Sequence, residues 1–183
     1  RNDFSSKAAV EYGLKGIPLL DRKEGEGFLS IIEQNGKAHQ DDLDVDYYLG
    51  EIFAHFGEFD KALEFYQKCL GIQINLETEN DDLARAYNGI GAVWYQKGGY
   101  DMALEFHQKS LSIRLNINGS EHPRVAESYN DIGLIWSEKG EFNKALSYYY
   151  QSLEILLKTL GSGHPSVAES YNNIGADFYR IGD

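Results

Sequence analysis

Five histidines, one cysteine and scattered acid pairs are the groups in this 183-residue chain that could carry nucleophilic, metal or proton-transfer chemistry. Their spacing argues against each. A metal site needs cysteine, histidine or carboxylate ligands converging at short intervals. His122 and His164 instead stand one in each of two inter-helix junctions, with no cysteine or second histidine at ligand spacing. Gly161-Ser162-Gly163-His164 sets a serine near a histidine, but a nucleophile elbow requires a strand–turn–helix setting, and the apolar pattern here is helical. The pairs Asp41-Asp42 and Asp81-Asp82 sit near expected helix starts, where carboxylates complement the positive end of the helix dipole. The glycines lie a repeat apart rather than clustered, so no phosphate-cradling loop is present. Asn118-Gly119-Ser120 matches a glycosylation acceptor in form only. From these residues we expect no enzyme, no cofactor and no metal.

The elements that must position the remaining polar groups follow from an internal repeat. Gly50, Gly91, Gly133 and Gly175 recur at steps of 41, 42 and 42 residues, and residues 122–133 match 164–175 at ten of twelve positions. A fixed period in this range marks a solenoid of stacked supersecondary units. Each unit has two helical halves. In the second copy, Leu83, Tyr87, Ile90, Val93 and Trp94 form an apolar stripe at spacings of three and four. Lys97-Gly98-Gly99 ends that helix, and Tyr100, Ala103, Leu104, His107 and Leu111 begin the inner face of the next.

The third copy places Ile132, Ile135, Trp136, Gly140, Phe142, Ala145, Leu146 and Tyr149 in the same columns, and the first places Leu49, Ile52, Phe53, Gly57, Phe59, Ala62, Leu63 and Tyr66 there. The fourth reaches Asp183 before its second helix begins. A mid-helix glycine costs about 1 kcal/mol against alanine, so four in one register imply close helix contact, expected near Ala62, Ala103 and Ala145.

Column comparison also settles the reactive candidates. Cys69 shares a column with Ser110 and Ser152, which makes it a small packing residue. His107 shares one with Tyr66 and Tyr149, which implies a partly buried packing role rather than a general base. His122-Pro123 and His164-Pro165 each precede a new helix, where proline suits the first helical position. The junction before the second copy, Glu77 to Asp82, lacks this pair.

Composition narrows the partners. The formal net charge of −12, from 29 acidic and 17 basic residues, repels phosphate backbones and anionic lipid, so neither nucleic acid nor membrane is expected as a partner. One cysteine permits no internal disulfide framework. With no long apolar run and no leader pattern, the expected location is cytoplasmic. Arg1 and the half-finished fourth copy read as a piece of a longer protein.

The repeated aromatic, aliphatic, glycine, aromatic, glycine, aromatic and alanine, here Tyr87, Ile90, Gly91, Trp94, Gly98, Tyr100 and Ala103, resemble the tetratricopeptide repeat. The 42-residue length, the His-Pro junction and the Tyr-Asn-x-Ile-Gly run are similar to the kinesin-light-chain-type subclass, whose helices exceed those of the common unit of about 34 residues. The resemblance covers residues 41–183. It implies an all-α, right-handed superhelical solenoid of antiparallel helix pairs, with repeats at about 41–81, 82–123 and 124–165 and a truncated first helix at 166–183. Residues 1–40 would form a helical cap or a degenerate repeat.

The resemblance further implies binding. First helices of the family line a concave groove whose asparagines hold a peptide backbone, and the matching positions here are Asn88, Asn130 and Asn172. Neighbouring groove candidates are Arg85, Ala92, Tyr95 and Gln96; Glu127, Leu134, Ser137 and Glu138; and Glu169, Ala176, Tyr179 and Arg180. The first copy departs, with Tyr47 in the asparagine's place beside Tyr48, Glu51 and His55. A buried ladder joining adjacent repeats is the competing role for the asparagines. Glu127, Glu138 and Glu169 against Arg85 and Arg180 favour neutral or basic peptides with apolar anchors over acidic ones. The expected function is a non-catalytic scaffold or adaptor for a protein or peptide. A regulatory segment of a larger enzyme or signalling protein is the alternative, and self-stacking through repeat ends a further one.

Overall fold

The computed structural model describes residues 43–75 and 79–182, all in helices or the short turns between them. Seven helices follow in order: α1 (Leu43–His55), α2 (Phe59–Asn75), α3 (Asp81–Gln96), α4 (Tyr100–Asn118), α5 (Pro123–Glu138), α6 (Phe142–Leu160) and α7 (Pro165–Gly182). They fall into two compact units, one ending at Thr78 and the other running from Glu79 to Asp183. The expected cap over 1–40 lies outside the described residues.

The helices pair in sequence because the same turn closes each pair. Gly57, Gly98 and Gly140 have φ of +78°, +75° and +76°, a region that side chains with a Cβ avoid. Their amides donate to Ala54, Tyr95 and Ser137 carbonyls at 2.9–3.0 Å, while the following amides reach Phe53, Trp94 and Trp136. The orphan carbonyls of the first helix are thereby satisfied and the chain reverses.

The helix starts are capped as the junction sequences require. Nδ1 of His122 accepts from the Arg124 amide at 3.2 Å, and Nδ1 of His164 accepts from the Ser166 amide at 3.2 Å. Each proline follows directly as the first helical residue. Where the His-Pro pair is missing, Asn80 serves: its Oδ1 accepts from the Leu83 amide at 2.9 Å. Asp81 and Asp82 sit in that first turn.

The mid-helix glycines do meet the paired helix, but not at the alanines. A Cβ on Gly50 would lie 2.7 Å from the Tyr66 ring, one on Gly91 2.7 Å from the His107 ring, and one on Gly133 2.6 Å from the Tyr149 ring. Each ring stands one turn beyond the expected alanine. Ala62, Ala103 and Ala145 are fully buried all the same. Gly175 has nothing within 4 Å of the same position, since no second helix follows α7 among the described residues.

In the second unit the core runs through the stack. Val125, Ala126, Ala145, Leu146, Tyr149, Leu153, Ile155, Leu156, Val167 and Ile174 form one cluster, and Ala103, Leu104, Ile132 and Ile135 another, with Trp136 packed against both. Salt bridges Arg124–Asp81, Lys139–Asp101 and Lys158–Glu121 add contacts between neighbouring repeats at the surface, where such pairs contribute at most about 1 kcal/mol each. In the first unit, the Phe53 and Phe65 rings stack at 5.3 Å, and Cys69 is buried as its column implies.

The glycine contact makes a paired prediction. Gly133→Ala forces the Tyr149 ring to move and should destabilise by about 1–3 kcal/mol, the usual penalty of overpacking. Gly175→Ala meets no atom and should be neutral or gain up to about 1 kcal/mol from helix propensity. Urea unfolding of both variants checks this; equal effects would show that the ring contact does not set the spacing.

Candidate functional site

The proposed recognition surface lies on the first helices of the second unit. Helices α3, α5 and α7 carry Asn88, Asn130 and Asn172 in one column. Below them sit the second helices, whose side chains decide how each amide is held.

Asn88 is half-buried, and its Oδ1 lies 3.0 Å from Nδ1 of His107 on α4. With the amide oxygen turned to the ring, Nδ1–H donates, and the Asn88 amino group is left for other partners. His107 is 3% exposed. Burial lowers its pKa to about 4, and the Arg114 guanidinium pushes in the same direction. The imidazole is therefore neutral near pH 7. It replaces the tyrosines of its column as a ring under a glycine, and it bonds to Asn88 of the paired helix.

Asn130 is held differently. Its Oδ1 accepts from Nδ2 of Asn173 on α7 at 3.0 Å, a bond between adjacent repeats. Asn172, one residue before, is solvent-exposed. The three asparagines of the column thus occupy three settings: one over a buried imidazole, one bridged to the next repeat and one open to water.

Around them the charges are uneven. Asp131 Oδ2 lies 3.8 Å from His107 Nδ1. Its carboxyl pKa is raised by burial, opposed by Arg114 and reinforced by Glu127 and Glu169. About a third of the Asp131 side chain remains in water, which moderates that shift. Glu127 and Glu169 are both exposed, and together with Asp131 they form one electrostatic neighbourhood.

The cations are committed within the chain. Arg85 pairs with Asp82 at 3.2 Å on its own helix. Arg114, 5% exposed, donates from Nη1 to the Arg124 carbonyl at 2.9 Å and to Ser128 Oγ at 2.8 Å, with Glu127 at 3.8 Å. Arg180 donates to Ser137 Oγ at 2.8 Å and lies 3.9 Å from both Glu138 and Asp177.

Tyr95 is half-buried; burial and then Glu138 raise its pKa. Tyr179 is 73% exposed and offers an aromatic face to solvent. Ser137, a groove candidate from the sequence, is instead buried and bonded to Asp177 Oδ1 at 2.5 Å, so it lines no open surface. In the first unit, Tyr47 packs against Tyr48 at 6.1 Å and Tyr66 at 5.5 Å, while His55 is exposed.

Four polar residues escaped the sequence reading: Arg114, Asp131, Asn173 and Asp177. The signal was present in the columns. Arg114 aligns with Gln73 and Leu156, Asp131 and Asn173 with Gly89, and Asp177 with Ile52, Val93 and Ile135. Asp177 carries the clearest signal, a charge in an otherwise aliphatic column, because burial there demands a partner. Among the described residues, no group of three or more His, Cys, Asp or Glu side chains is placed to hold a metal ion, and no helix is long and apolar enough to cross a membrane.

The model of the tetratricopeptide repeat family matches residues 41–116, 82–158 and 137–183. Among solved structures, BtubC (BKLC) from P. vanneervenii is similar at 24% identity and TM-score 0.68, over 77% of this chain and 57% of that one. This chain therefore spans little more than half of BtubC. Kinesin-light-chain TPR-like repeats from Podospora anserina are similar at 18% identity and TM-score 0.75, over 98% and 87%. The apo form of RapI is similar at 17% and 0.75, over 98% and 65%. At these identities the likeness is one of fold. No curated protein sequence matches this chain.

The buried imidazole makes the second unit acid-sensitive. A folded-state pKa near 4 against an unfolded value near 6.5 means the unfolded chain binds the extra proton first. His107 therefore contributes stability that is complete above about pH 6.5 and is lost as pH falls toward 4, by about 3 kcal/mol in all. Asp131, with its raised pKa, acts in the opposite direction and, being part-exposed, more weakly. His107→Tyr, the residue of the neighbouring repeats, should unfold with a smaller drop in Tm between pH 7 and pH 5 than the wild type. Equal drops would place the acid sensitivity elsewhere.

Proposed function

Because the chain belongs to the tetratricopeptide repeat family, we propose that residues 79–182 form a non-catalytic recognition module. It takes a neutral or basic peptide, with apolar anchors, along the first helices α3, α5 and α7. A tetratricopeptide repeat domain is generally a protein-interaction module, typically without catalysis of its own, so a protein partner is the general expectation. The peptide class is the finer reading, and it rests on charge.

The observation that carries it is the excess of carboxylates over arginines around the asparagine column. Arg85, Arg114 and Arg180 each face a carboxylate of the chain at 3.2–3.9 Å. Glu127 and Glu169 stay exposed, and they add to the upward shift that burial gives the Asp131 carboxyl, against Arg114. A lysine or arginine of a ligand would relieve the repulsion among these carboxylates, whereas an acidic ligand would add to it. The Asn88 amino group and the exposed Asn172 amide are suited to an extended backbone, which needs a donor and an acceptor in turn. Tyr179, and Tyr95 beside Arg180 and Glu138, supply aromatic surface for an apolar anchor. As an adaptor, the chain would hold such a segment without altering it.

A peptide array tests this directly. One leucine- and tyrosine-containing core is flanked by lysines, by glutamines or by glutamates. The lysine series should bind roughly tenfold more tightly than the glutamate series, a difference of about 1.4 kcal/mol, and should weaken with salt. Asn88→Ala combined with Asn172→Ala should weaken every series alike. Preference for the glutamate series would sink the reading.

A further inference from the structure

Asp177 stands where no charge belongs. Its column holds Ile52, Val93 and Ile135, all buried, and Asp177 itself is 1% exposed on α7. An aliphatic side chain there would pack without any polar debt. The carboxylate instead holds two groups, as Oδ1 accepts from Ser137 Oγ on α5 at 2.5 Å and lies 3.9 Å from Arg180 Nη1 one turn along α7, and its charge also acts on Tyr149 of α6. Oδ2 is buried without a hydrogen-bond partner. Ser137 Oγ in turn accepts from Arg180 Nη1 at 2.8 Å. The serine is thus a bridge, with its proton on the aspartate and its lone pair on the arginine.

The consequence falls on Arg180. Nearly half of this side chain is exposed, beside Tyr95 and Glu138 on the surface read above as the peptide site. Two carboxylates, Asp177 from beneath and Glu138 from the side, balance its one positive charge, and the Ser137 hydroxyl fixes the guanidinium in place. We propose that Asp177 is a positioning residue for ligand charge: it keeps Arg180 pinned to the protein, so that this end of the site does not attract acidic ligands. The proposal rests on the peptide-binding reading for its ligand half and on geometry alone for its arginine half.

Two variants separate charge from packing. Asp177→Asn keeps the shape and an acceptor for Ser137, and Asp177→Ile restores the residue type of the column. Modification of Arg180 by phenylglyoxal, followed by mass spectrometry, needs no ligand. It should run severalfold faster in both variants than in the wild type, and equal rates would overturn the proposal. Titration calorimetry with the lysine-flanked and glutamate-flanked peptides then reads selectivity. In both variants the ratio of affinities should move toward the glutamate peptide by about fivefold to tenfold, and adding Arg180→Ala should abolish that move. A purely structural role for Asp177 would change both affinities together and leave the ratio unmoved, which also overturns the proposal. If neither peptide binds the wild type while the modification rates behave as expected, the pinning of Arg180 stands, and the peptide-site reading falls together with the selectivity role.

Discussion

A ring lying against a bare backbone sets the spacing within each repeat. Where Gly50, Gly91 and Gly133 leave out a Cβ, the rings of Tyr66, His107 and Tyr149 occupy the space, closer than any Cβ would allow. The contact brings the two helices of a pair together and leaves the larger side chains to fill the gaps on either side. Val125, Ala126 and Val167 are fully buried or nearly so. The helix-propensity penalty of the glycine is offset by burying a whole aromatic surface against it, which is worth more than the roughly 1 kcal/mol at stake.

With the frame repeated, individuality appears in the polar columns. His107 does the packing work of a tyrosine while carrying a proton-sensitive group into the core. Arg114 takes a column otherwise filled by Gln73 and Leu156 and is tolerated because the Arg124 carbonyl and Ser128 receive it. Asp177 enters an aliphatic column and is received by Ser137. Each departure is a buried polar group matched by a partner from another helix of the stack. A stack built this way varies its buried polar groups from repeat to repeat while keeping the same helix pairing.

The balance of charge follows from the same pairing. Near the asparagine column each of Arg85, Arg114 and Arg180 faces a carboxylate of the chain, and the carboxylates there outnumber the arginines. Counting charges along the first helices would have placed Arg85 and Arg180 at a ligand's disposal. Their carboxylate neighbours in space reverse that inference for both.

The sequence by itself determined the period, the helix pairs, the glycine turns and the His-Pro caps, because all of these depend on residues within a few positions of one another and recur in register. It also marked the asparagine column and the packing roles of Cys69 and His107, since three or four copies of a column constrain what each member does. It did not reveal that the glycines meet rings rather than alanines, nor that Ser137 is buried while Asn130 bonds to Asn173. Those outcomes depend on how far one helix is slid and rotated against another, which local spacing does not encode. The partners of the buried polar groups come from residues about forty positions away, as Ser137 does for Asp177. Only the packed stack brings such residues within hydrogen-bond distance, and only there does the requirement that a buried charge be satisfied select one partner among many.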